Sequence, residues 1–125
     1  MDKNRKMTQH EKQIMGLLWS MEKQKATINE LLSVFPDPKP AYTTLATFLR
    51  IMTQKGFVKY EKNKGMKNFV FYPSISKSKY LKLETNEMKN TFFGGSFKSL
   101  VSFFVKNENL NDDELQELIR LINSK

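Results

Sequence analysis

The chain has no cysteine, which excludes a disulfide framework, a thiolate metal site and any thiol-based redox or copper switch. Histidine occurs once, as His10, so no pair of imidazoles is available for metal ligation or proton relay. Long apolar runs are equally missing: nothing approaches the roughly 18 consecutive apolar residues that a membrane span requires. Met1 to Lys6 leads straight into a polar helix pattern, so neither a signal peptide nor membrane insertion is expected, and the expected compartment is cytoplasmic. Phosphate loops of the GxxxxGK[ST] or GxGxxG spacing are absent, and Gly94-Gly95 falls between helical patterns, where it reads as a bend. Glu84 and Glu87 can share a helix face, but two carboxylates at that spacing among lysines read as solvated surface. No catalytic constellation survives these absences. No enzymatic activity, no cofactor and no metal are expected.

What the chain does have is positive charge, unevenly placed. Of its 125 residues, 21 are Lys or Arg and 13 are Asp or Glu. Residues 1–73 hold 13 of the bases against 6 acids, whereas residues 74–125 hold 8 against 7. A basic half attracts a polyanion, and a neutral half, lacking that repulsion, suits self-association. Solubility alone is the plainer account of the charge, yet it does not explain why nearly the whole excess sits in one half.

Helix starts are written into the sequence. Thr8 with Glu11, Thr27 with Glu30, and Asn111 with Glu114 each place a capping side chain three residues before a carboxylate. From Thr8, Ile14, Leu17, Leu18 and Met21 follow the helical period, and the helix should end in the polar stretch Glu22 to Lys25. A short second helix from Thr27 carries Ile28, Leu31, Leu32 and Phe35 until Pro36, Pro38 and Pro40 forbid continuation. Ala41 opens a third, with Leu45, Phe48, Leu49 and Met52 as its stripe and Lys55-Gly56 as its stop. Phe57 to Lys62 and Lys67 to Tyr72 then read as a hairpin around Asn63-Lys64-Gly65-Met66, closed by Pro73. Three more helices follow: Lys77 to Asn90 behind a Ser76 cap, one starting at Ser96, and one starting at Asn111. The fold class expected is mostly α with a small β-hairpin: a winged helix-turn-helix DNA-binding domain over 1–73 and a helical dimerisation domain over 74–125.

The third helix is the most informative element. At 100° per residue, Leu45, Phe48, Leu49 and Met52 point one way, while Thr43, Thr47, Arg50 and Gln54 point the other. No acid occurs between Asp37 and Glu61, although Lys39, Arg50, Lys55 and Lys59 do. A phosphate backbone can approach such a face unopposed, and threonine offers a hydroxyl to base edges and a methyl to thymine. An ordinary solvent-facing helix is the alternative, but it would favour Glu and Lys over threonine on propensity. Three helices followed by a hairpin is the winged arrangement in which the third helix reads the major groove. Lys59, Lys62, Lys64 and Lys67 cluster on or beside that hairpin. Lysine-rich tips also serve solubility, so these residues gain meaning only from the order of elements. The base-reading candidates are therefore Thr43, Thr44, Thr47 and Arg50, and the phosphate-binding candidates are Lys39, Lys55, Lys62, Lys64 and Lys67.

In the C-terminal segment, Phe97, Leu100, Val101, Phe104 and Val105 form a stripe at i, i+3, i+4, i+7 and i+8. Leu115, Leu118, Ile119 and Ile122 form another. About 50 residues make a small private core. A core shared with a second chain accommodates both stripes, with Phe103 a further contact, while folding back onto the N-terminal domain is the alternative. A two-fold dimer would set two reading helices about 34 Å apart on a palindrome. A protein-interaction winged helix docking an acidic partner is the competing function. Binding to a membrane surface would need more cations on one face than the third helix has.

At this point the residues resemble a known family, the penicillinase and methicillin-resistance repressors with their copper-responsive relatives (the BlaI/MecI/CopY family). The likeness runs from Thr8 to about Ile122. It is carried by Glu11 with Leu18-Trp19, by Ala41-Tyr42-Thr43-Thr44-Leu45 through Leu49-Arg50, by Lys55-Gly56-Phe57-Val58, and by Phe92-Phe93-Gly94-Gly95-Ser96 followed by Leu100-Val101. The resemblance implies a homodimeric transcriptional repressor on double-stranded, palindromic operators containing TACA and TGTA elements. By position it implies that Thr44 and Thr47 read bases. Thr43 and Ala46 fall where staphylococcal members have Lys and Gln, which implies altered readout. Trp19 is expected to be structural, beneath a helix-helix junction. The copper branch uses a C-terminal cysteine cluster, absent here. The β-lactam branch is relieved by proteolysis in the dimerisation domain, which implies a membrane sensor-protease as partner. The family's Asn-Phe bond corresponds here to Phe103-Phe104.

Overall fold

A computed structural model describes residues 6–62, 65 and 68–123, without the side chain of Ile122. Lys64, Lys67 and most of the hairpin turn thus lie outside the described residues. The elements are α1 (Gln9–Ser20), α2 (Ile28–Val34), α3 (Tyr42–Lys55), β1 (Val58–Lys62), β2 (Phe69–Pro73), α4 (Lys77–Phe92), α5 (Phe97–Asn107) and α6 (Asp112–Asn123). The expected class, mostly helical with one antiparallel hairpin, is what the chain adopts. It divides into two compact units, Met1–Tyr80 and Leu81–Lys125.

All three capping pairs form. The Thr8 hydroxyl accepts from the Glu11 N–H at 3.2 Å while the Glu11 carboxylate accepts from the Thr8 N–H at 2.8 Å. Thr27 and Glu30 repeat the exchange at 3.1 and 2.8 Å, and Asn111 and Glu114 at 2.9 and 3.3 Å. Ala41 precedes α3 without a side-chain cap, and Gly56 ends that helix in the left-handed region at φ 87°, which a side chain would resist.

The core of the first unit gathers Ile14, Met15, Leu18, Leu31, Leu45, Leu49, Met52 and Val58, all nearly inaccessible, with Met7, Ala26, Phe35 and Phe57 around them. On α1 the buried set is Glu11, Ile14, Met15 and Leu18, one position round from the stripe that the sequence suggests. Leu17 and Met21 are only half-buried. The arc turns because a carboxylate occupies its first place, satisfied by the cap and by a lysine described below.

The hairpin pairs Val58 with Pro73, Tyr60 with Phe71 and Lys62 with Phe69. Pro73 belongs to the last pair rather than lying beyond it. Ser74 donates to the Phe57 carbonyl at 2.9 Å, so Pro73 falls at a position whose missing N–H the ladder does not need. A feature with no sequence signal closes the other edge of β2: Ala26 and Phe71 exchange backbone hydrogen bonds of 3.0 and 2.8 Å. The α1–α2 connection thereby adds a one-residue third strand. Beside it, Lys25 pairs with Glu61 at 2.9 Å and lies 5.3 Å from the Tyr72 ring centre. The hydrogen bond to Glu61, and then its charge, raise the Lys25 ammonium above its ordinary 10.5.

Trp19 is structural. Its indole N–H donates to the Ile75 carbonyl at 3.0 Å, and its ring lies 5.7 Å from that of Tyr80. This holds the first turn of α4 with the first unit.

In the second unit, Gly94 and Gly95 both take positive φ, and the Gly95 N–H donates to the Lys89 carbonyl. The chain turns there and restarts at Ser96, whose hydroxyl accepts from the Ser99 N–H at 3.1 Å. Leu100 is buried, while Phe92 is 77% exposed, Leu121 66% and Ile119 54%; Phe97, Phe103 and Phe104 are also open.

Candidate nucleic-acid interface

The exposed face of α3 carries Thr43, Thr44, Thr47, Arg50 and Gln54, because burial of Leu45, Leu49 and Met52 fixes the helix's rotation. The Thr47 hydroxyl donates to the Thr43 carbonyl at 3.0 Å. Its proton is engaged within the helix, which leaves the oxygen as an acceptor for an amino group on a base edge. Thr44 and Arg50 have no hydrogen-bonding or ionic partner among the described residues. Arg50 therefore presents an uncompensated guanidinium beside the threonines.

The lysines divide into two groups. Lys62, at the end of β1, and Lys59 are exposed and unpaired among the described residues. Lys39 instead turns back onto α2, where its ammonium donates to the carbonyls of Leu32 at 2.7 Å and Phe35 at 2.8 Å. It satisfies orphan carbonyls at that helix end and fixes the turn into α3. Lys55 reaches the buried Glu11 carboxylate at 2.9 Å and also donates to the Lys6 carbonyl at 3.2 Å. Glu11 is 2% exposed, so this pair fastens the start of α1 to the end of α3. The structure thus occupies two of the five phosphate-binding candidates, Lys39 and Lys55, with bonds to the protein itself. Sequence patterning gave no sign of either bond.

Removing one partner of a buried pair strands the other charge. Lys55→Met should therefore cost about 3 kcal/mol of stability, read by denaturant unfolding. Glu11→Gln in the same background should restore most of it, because the amide still accepts from Thr8 without a charge to bury. A double variant as unstable as the single one would contradict this account of the pair.

A third arrangement flanks the exposed face of α3. The His10 ring stacks on Phe48 at 5.3 Å and 23°. Both residues line an open groove of about 370 Å³ together with Gln13, Pro38, Pro40 and Thr44. Helical spacing placed Phe48 on the inward stripe; in the structure it is half-buried and lidded by His10. Among the described residues no group of side chains could hold a metal ion, and no helix is long and apolar enough to cross a membrane.

Comparison with known proteins places the whole chain beside one family. A family model described as penicillinase repressor matches residues 7–124. The methicillin resistance regulatory protein MecI of Staphylococcus aureus (strain N315) is 27% identical over 125 residues, covering 99% of this chain and 98% of that protein. A penicillinase repressor of Staphylococcus aureus is 31% identical over 112 residues, 88% of this chain and 85% of the relative. Another, from Bacillus licheniformis, is 29% identical over 79 residues, 63% and 60%.

Proposed function

Since the chain belongs to the penicillinase repressor family, the one its residues resemble, we propose that it represses transcription as a homodimer on palindromic operators. As a member of that family it is a transcriptional regulator and not an enzyme. The observation that carries the operator reading is the face of α3: exposed threonines beside an unpaired Arg50, in a stretch from residue 38 to 60 without a single acid. Thr43, Thr44, Thr47 and Arg50 lie in the major groove and read bases. Lys62, with Lys64 and Lys67 after it in the sequence, binds phosphate from the hairpin. Lys39 and Lys55 act mainly by holding α3 at its angle.

The second unit supplies the dimer contacts through Phe97, Leu100, Val101, Phe104, Leu115, Leu118, Ile119 and Ile122. Among those whose side chains are described, all but Leu100 are exposed or half-exposed, which supports a shared core. Repression is relieved by proteolysis at Phe103-Phe104 by a membrane sensor-protease, and the regulon serves β-lactam resistance or a related stress response. The exposure of both phenylalanines on α5 supports the site, and local opening of the helix would expose the bond.

The test is selection of bound duplexes from random DNA, followed by Thr47→Ala. That variant should lose about 1 to 3 kcal/mol on the selected operator at one base position and little on random DNA, as read by fluorescence anisotropy. Equal losses on both would remove Thr47 from the reading face. A chain docking an acidic protein instead would select no duplex at all.

A further inference from the structure

The groove beside α3 has no assigned role. Its lining joins Thr44 of the reading face and His10 and Gln13 of α1 to the apolar Phe48, Pro38 and Pro40. Its roughly 370 Å³ equals about a dozen water volumes. Neither ring nitrogen of His10 nor the Gln13 amide has a hydrogen-bond partner among the described residues, and no carboxylate lines the groove. The stack on Phe48 holds the His10 ring in place at the rim.

We propose that this groove is a sugar–phosphate subsite, in which His10 and Gln13 bind one phosphodiester of the DNA strand bordering the major groove while the apolar part of the lining receives its deoxyribose. The proposal rests on the operator-binding reading above. A helix lying in the major groove has a phosphate strand along each flank, and half to two-thirds of protein–DNA hydrogen bonds go to phosphate and sugar. Donors, an apolar part of the lining and no negative charge match the chemistry of that strand.

Among the described residues, the charged groups near the subsite do not engage the His10 ring. Glu11 is buried and bound to Thr8 and Lys55, Lys39 is bound to α2 carbonyls, and Asp37 is exposed outside the groove lining.

The experiment measures affinity of the full chain for its selected operator by fluorescence anisotropy. His10→Phe keeps a ring on Phe48 and removes both nitrogens. It should lose about tenfold in affinity. His10→Gln, which keeps a donor, should retain most of the affinity, separating the contact from any change in folding. If His10→Phe binds with the affinity of the unmodified chain, the subsite is overturned while the operator reading stands. A chain that selects no operator overturns both.

Discussion

Ile119→Asp is expected to leave each chain folded but alone. Ile119 is 54% exposed, so an aspartate there disturbs little within its own unit. In a shared core it would place a carboxylate against apolar partner surface, which is prohibitive unless the charge finds a mate. Leu118 is half-buried, and its replacement would also disturb the unit's own packing, so Ile119 is the cleaner probe. Sedimentation should show monomer, and helix content should be unchanged. Operator affinity should fall by about 100-fold or more, because two linked reading helices bind with the second event made intramolecular. A variant that sediments as a dimer would exclude this face of α6 from the interface.

The second large effect is thermodynamic. Leu49 sits on α3 with no accessible surface, in a cluster that includes Leu45, Met52, Ile14 and Leu18. Leu49→Ala removes the contacts that fix the rotation of α3 and leaves a cavity, at a cost of about 2 to 5 kcal/mol. For a unit of this size the first thermal transition should drop by at least about 10 °C. Operator discrimination should suffer in the variant even below that transition, since the threonine face is aimed by what lies behind it. Calorimetry showing no shift would mean that α3 is positioned from elsewhere, with Lys39 and Lys55 as the remaining anchors.

Much of this was legible in the residues because local physics decides it. Capping boxes state their own register, so Thr8, Thr27 and Asn111 mark three helix starts without reference to tertiary structure. Gly56 and the paired Gly94-Gly95 demand backbone that other residues resist. The 3.6 period of Leu45, Leu49 and Met52 determines which threonines face outward. What escaped were contacts between residues distant in sequence. Glu11 reads as a cap alone; that Lys55, 44 residues later, also reaches it depends on how α1 crosses α3. Lys39 reads as a free cation because nothing in the pattern indicates that it folds back on α2. His10 reads only as a lone histidine without a partner imidazole, and its packing on Phe48 is what gives it a place. Ala26 reads as plain linker, since pairing through a single residue leaves no alternation to detect.

That last contact has a mechanical consequence. Bolted through Ala26 to the strand that carries Phe71 by two backbone hydrogen bonds, the connection entering α2 and the hairpin should tilt together. If the hairpin binds phosphate as proposed, that phosphate meets a support already set in position, and little conformational freedom remains to be surrendered on docking. Loosening that bolt, for instance by a proline at Ala26 that removes its N–H donor, would slacken the wing without touching a single cation.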